Sequence, residues 1–173
     1  MGEVTDDQVL EAKRVRGLRA NSLAAIVILL IQYGLGVWVN LYGHLPRSDH
    51  RAGLAEGFGR AVADGPVGLS IHAVLGVVLI VSASTALVRA IVVRRRGLVA
   101  VTAVGLAAIV TAAVSGARFV GHGDNGSSMS MAIAAGVAIG AYGLTLFLSA
   151  SAREGVISRR PGKSRTRALP GSG

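Results

Sequence analysis

Four long apolar blocks separated by polar stretches dominate the chain, over residues 22–42, 66–93, 98–119 and 128–150. Each is close to or above the ~20 residues that an α-helix needs to cross about 30 Å of hydrocarbon. Around a soluble core, apolar residues would recur every three or four positions rather than fill such blocks. The pattern predicts an all-α polytopic membrane protein, a bundle of four transmembrane helices. The first block follows basic residues, as a signal peptide's apolar region does. It is too long for one, however, and leads into Gly36-Val37-Trp38-Val39-Asn40 with no small-x-small cleavage site. It is read as an uncleaved span.

The polar stretches divide the rest. In the N-terminal segment, residues 1–20, Thr5-Asp6-Asp7-Gln8 has capping-box spacing with Thr5 as N-cap. A short helix is expected to run from there through Lys13, Arg14, Arg16 and Arg19 into the membrane. Asp64-Gly65-Pro66 gives the second span its start. In the loop 43–65, Leu54, Phe58, Ala61 and Val62 share a helical face, while Glu56 and Arg60 form an i, i+4 pair. That predicts a short interfacial helix. Residues 151–173 are rich in Arg, Ser, Gly and Pro and are expected to be a disordered basic tail. Gly121-His122-Gly123-Asp124-Asn125-Gly126 reads as a tight turn before the last span, or as a backbone nest for a cation or polar head group.

Charge sets the orientation. The net charge is +9 and the isoelectric point about 11.4, values that would ordinarily suggest a nucleic-acid partner. The distribution explains them without one. Lys13, Arg14, Arg16 and Arg19 precede span one, Arg89, Arg94, Arg95 and Arg96 cluster between spans two and three, and Arg153, Arg159, Arg160, Lys163, Arg165 and Arg167 follow span four. The opposite side holds Arg47, Arg51, Arg60 and Arg118, balanced by Asp49, Glu56, Asp64 and Asp124. By the positive-inside rule both termini are cytoplasmic, in a bacterial plasma membrane. Trp38, Tyr42 and Phe119 at outer span ends suit an aromatic belt. The tail's cations are expected to attract anionic lipid. The abundance of Arg over Lys, with heavy Ala, Gly and Val, suggests a GC-rich, actinobacterial source.

Candidate chemistry is sparse. Cysteine is absent, which excludes disulfides, thiolate metal sites and cysteine catalysis. No Asp, Glu, Lys or Arg lies near the middle of a span, which argues against an ion-coupled transporter. Polar groups expected at mid-depth are Gln32, Ser82, Ser84, Thr85, Thr111 and Tyr142, read as interhelical hydrogen bonders or as the lining of a cavity. Ala132, Gly136 and Gly140 form a small-residue stripe on span four, and Ala108, Ala112 and Gly116 one on span three. Such ridges let backbones approach closely, within one bundle (the favoured reading) or between chains. His44, His72 and His122 all fall toward the outer side, where neutral imidazoles bind Zn, Cu or haem iron. The plain alternative is interfacial histidines satisfied by loop groups. No Walker, Rossmann, HExxH or GxSxG pattern occurs.

Two resemblances follow from these residues. His72-Ala73-Val74-Leu75-Gly76, with glycine four positions after histidine, resembles the small membrane b-type cytochromes, in which a helix histidine binds haem b and a nearby glycine makes room for the porphyrin. Those proteins take a second histidine from another span, and span four has none. Trp38-Val39-Asn40-Leu41-Tyr42, an outer loop with a short helix and a histidine early in span two together resemble a group of small actinobacterial four-span membrane proteins, which implies the fold and no activity. The leading expectation is a non-enzymatic membrane subunit or accessory protein that packs its helices against itself, as a homo-oligomer, or against a larger membrane complex. The alternatives are a haem- or metal-binding electron carrier using His72 with His122 or His44, and an exporter of apolar compounds with a cavity at the level of Gln32 and Tyr142.

Overall fold

The computed structural model describes residues 6–42, 59, 62–63, 67–122 and 125–158. Four long α-helices carry most of them: α1 Asp6–Tyr42, α2 Val67–Val93, α3 Arg96–His122 and α4 Asn125–Ser158. Each contains a stretch of 25 to 30 residues long and apolar enough to cross a membrane. Only 17–28% of each stretch's most apolar window is buried inside the bundle, so most of its apolar surface faces outward, as lipid requires. The chain is an all-helical, multi-pass membrane protein.

The helices begin and end where chain chemistry permits. α1 runs unbroken from Asp6 through its basic residues into the apolar block, as expected, while Thr5 lies outside the described residues. α4 differs from expectation. It continues eight residues past Ala150 to Ser158, into the stretch expected to be disordered. Polarity alone does not end a helix; the first proline comes only at Pro161. His122 also differs, being the last residue of α3 rather than part of a loop. Of the expected interfacial helix only Gly59, Val62 and Ala63 are described, all helical. His44 and residues 159–173 lie outside the described residues.

A very short turn joins α2 to α3. Arg94 takes a left-handed conformation, φ 58°, and its N–H donates to the Ile91 carbonyl at 3.0 Å, closing the helix end. A side chain in that conformation is strained, and glycine is not. Arg94→Gly is expected to stabilise the protein by about 1 kcal/mol, read from the midpoint of denaturant unfolding in mixed micelles. Beside this turn Arg95 Nη2 pairs with Glu11 Oε1 at 3.3 Å, both exposed. The pair contributes little energy, but it places the start of α1 and the α2–α3 turn at one end of the bundle.

The four helices form a closed ring in which α1 packs on α2 and α4, and α3 packs on α2 and α4. On α1 and α2 the inward faces follow an alternating three-and-four spacing, the signature of knobs-into-holes bundles, and on α3 and α4 they recur every three or four residues. On α1 the seam is Val15, Leu18, Ser22, Ala25, Leu29, Gln32 and Gly36; on α2 it is Leu69, His72, Gly76, Leu79, Ala83, Ala86 and Ala90. On α3 it is Leu98, Thr102, Gly105, Ile109, Ala112 and Ser115, and on α4 Ser130, Ala134, Ala138, Tyr142, Thr145 and Ser149. Cross-helix pairs fix the register: Asn21 with Ser82, Gln32 with Gly76, His72 with Gly36, Gly105 with Tyr142, and Ser115 with Ser130.

The seams therefore stack in layers. Upward from the Glu11–Arg95 end these are Val15, Ala90, Leu98 and Ser149, then Leu18, Ala86, Thr102 and Thr145, then Ser22, Ala83, Gly105 and Tyr142. Two apolar layers follow, Ala25, Leu79, Ile109 and Ala138, and then Leu29, Gly76, Ala112 and Ala134. The sixth layer, Gln32, His72, Ser115 and Ser130, is polar on every helix. Thr102, Thr145 and Ser149 are fully buried, but each donates to a carbonyl of its own preceding turn at 2.7–2.9 Å.

Candidate functional site

The polar sixth layer is where the sequence and the geometry meet. Gln32 and Gly36 stand four residues apart on α1, His72 and Gly76 four apart on the antiparallel α2, so each long side chain lies over the other helix's glycine. A Cβ added at Gly76 would come 3.3 Å from Gln32 Nε2, and one at Gly36 would come 3.6 Å from His72 Cε1. Gln32 Nε2 donates to the His72 carbonyl at 2.9 Å. Across the bundle the hydroxyls of Ser115 and Ser130 are hydrogen-bonded at 3.1 Å. Two buried atoms of the layer, Gln32 Oε1 and His72 Nδ1, have no protein partner.

This arrangement bears on the resemblance to b-type cytochromes. The room that Gly76 leaves is occupied by the Gln32 carboxamide, so these residues do not fit a porphyrin at that position. Among the described residues no group of three or more His, Cys, Asp or Glu side chains lies close enough to hold a metal ion.

Gln32 and Tyr142, expected at one level, are not. Tyr142 belongs to the third layer with Ser22, and ten residues of α1 separate Ser22 from Gln32, about 15 Å at 1.5 Å per residue. The Tyr142 ring is fully buried and packs against α3 at Gly105, where an added Cβ would come 2.9 Å from Cε2 and 3.0 Å from Cζ. The other expected interhelical hydrogen bonders divide. Ser84, Thr85 and Thr111 donate to carbonyls of their own helix, at Ile80, Val81 and Ala107. Ser82 takes part through its carbonyl, which accepts from Asn21 Nδ2 at 2.7 Å. Asn21 stands one residue before the first apolar block, outside the polar groups that the sequence places at mid-depth.

The two small-residue stripes also divide. Ala108 is buried, Ala112 half-buried, and Gly116 stands against Met131, whose Sδ lies 3.2 Å from an added Cβ; this stripe packs inside the bundle. The favoured internal reading fails for span four. Ala132, Gly136 and Gly140 are exposed, and an added Cβ at either glycine meets nothing within 4 Å. Tyr142, Ala138 and Thr145 occupy the inward face of α4, and the stripe sits on the opposite face, about 180° around the helix. Beside it an apolar groove of about 490 Å³ opens between α3 and α4, lined by Ala108, Thr111, Met129, Ile133, Ala134 and Val137.

Described residues therefore offer three features: an outward glycine ridge with a groove beside it, a glycine-framed Gln32–His72 pair, and a buried tyrosine at the third layer. No known protein family, curated protein or solved structure matches this chain.

Proposed function

We propose that the protein is a non-enzymatic membrane subunit that works by packing α4 against a further transmembrane helix, from a second copy or from a larger complex. The observation that carries this reading is the Ala132–Gly136–Gly140 ridge, directed away from its own bundle with open space over both glycines. In lipid there is no hydrophobic drive between helices, so close backbone approach over small residues is what favours association. The protein sits in a bacterial plasma membrane, of actinobacterial type, with both termini cytoplasmic. The supports for this are the basic residues before α1 and in the α2–α3 turn, at one end of the bundle, together with the positive-inside rule. The basic tail meets anionic lipid there.

The alternatives fare less well. A haem-binding electron carrier needs the room beside Gly76 that Gln32 fills. An exporter with one polar level at Gln32 and Tyr142 is at odds with their separation of about 15 Å.

The test is association in nanodiscs or mild detergent, followed by light scattering and by identification of co-purifying proteins. The native chain is expected to run above its 17.6 kDa monomer mass, alone or with a partner. The double variant Gly136→Leu, Gly140→Leu should run as a monomer with its helical content unchanged, because the added side chains point away from the bundle. A native chain that is strictly monomeric and partner-free would sink the proposal.

A further inference from the structure

Among the described residues, four buried side-chain polar atoms lack a protein partner: Ser22 Oγ, Tyr142 Oη, Gln32 Oε1 and His72 Nδ1. They are not scattered. Ser22 and Tyr142, both fully buried, belong to the third layer; Gln32 and His72 belong to the sixth. Between them lie two layers whose inward side chains, Ala25, Leu29, Leu79, Ile109, Ala134 and Ala138, carry no polar atom. Buried polar groups in folded proteins are satisfied by protein or by ordered water, and in the membrane interior the alternative to a partner is costly. Each pair therefore calls for a guest.

The chemistry of the two pairs narrows what the guest is. The third layer holds two unpartnered hydroxyls, those of Ser22 and Tyr142, each able to donate and to accept. In the sixth layer Gln32 Oε1 only accepts, its amide nitrogen being spent on the His72 carbonyl. A guest there must donate to Gln32 and meet His72 Nδ1 in either tautomer. Water does all of this, and it is small enough for interiors packed with alanine and glycine.

We propose that the bundle holds two internal water sites, one bridging Ser22 and Tyr142 and one bridging Gln32 and His72, separated by a dry two-layer block. The helices then enclose hydration at two depths, with Leu29, Leu79 and Ile109 as the barrier between. This goes beyond the subunit reading and does not depend on it.

Radiolytic footprinting of the full chain in nanodiscs tests it, with X-ray-generated hydroxyl radicals in ¹⁸O-labelled water and mass spectrometry. Bound water, once activated, labels the side chains it touches. Corrected for intrinsic reactivity, Tyr142 and His72 are expected to take up ¹⁸O about tenfold faster than Leu29 and Leu79, since only polar, roomy sites retain water. Ser22→Ala should slow labelling at Tyr142 and leave His72 unchanged, and Gln32→Leu should do the reverse. Labelling of Tyr142 and His72 no faster than the two leucines overturns the proposal. Fast labelling at all four overturns the dry block, and fast labelling at only one of the pair overturns the site at the other. A variant that fails to fold is recognised by rapid labelling of Leu29 and Leu79.

Discussion

Gly105→Ala is expected to destabilise the bundle by about 1–3 kcal/mol, although alanine is the better helix former by about 1 kcal/mol. The added methyl would stand 2.9 Å from Cε2 and 3.0 Å from Cζ of Tyr142. The ring is fully buried, so it cannot swing aside as an exposed side chain would. Tyr142→Ala alone should cost about 3–5 kcal/mol by leaving a cavity at the third layer. Together the two substitutions should cost less than their sum, because each removes the other's problem. Unfolding in mixed micelles across the double-mutant cycle gives the coupling; strict additivity would show that ring and backbone are not in contact. Gly34→Ala is the control, on α1 and away from the α4 ridge with nothing within 4 Å of the added atom, and should be neutral or slightly stabilising.

The second large effect concerns the α1–α2 interface. Gly76→Leu should displace the Gln32 carboxamide, whose nitrogen lies 3.3 Å from an added Cβ, and break its 2.9 Å bond to the His72 carbonyl. The expected loss is about 1–3 kcal/mol from overpacking, plus ~0.6–2 kcal/mol for the interhelical hydrogen bond. Gln32→Ala in the Gly76→Leu background should recover part of it by freeing the space. If Gln32→Ala costs as much in that background as in the native chain, the carboxamide does not occupy the place left by Gly76. Gly36→Ala, whose new atom would make an ordinary 3.6 Å contact with His72 Cε1, should cost much less.

The membrane spans were legible in the sequence because length and apolarity alone decide them. The packing was less so. In a helix whose every face is apolar, periodicity cannot tell inside from outside. On α4 the inward series Ala134, Ala138, Ala141 and the outward series Ala132, Gly136, Gly140 have nearly the same composition, and they interleave along the same turns. What separates them is the bulky Tyr142 beside Ala141, matched to Gly105 of α3. The spacing of His72 and Gly76 on one helix is visible in the sequence. Their actual complement, Gln32 and Gly36, lies 40 residues earlier, and a helix periodicity does not connect positions on different helices. The end of α4 is hidden in the sequence for a different reason: charged and small residues that would leave a soluble segment unfolded extend an existing helix when no proline intervenes.

The layered interior also answers a question that alanine-rich seams pose. Sliding α4 by seven residues against α3 would still bring mostly small and apolar residues together. Such a shift would bring Tyr142 opposite Ala112 or Leu98 instead of Gly105, and would part Ser115 from Ser130. Sliding α1 against α2 would likewise take Gln32 from Gly76 and His72 from Gly36. The few polar and oversized residues thus act as alignment marks on otherwise interchangeable rails, as single polar residues do in coiled coils. Replacing them all by alanine would leave four helices that still span the membrane and still associate, but in several staggers of similar energy.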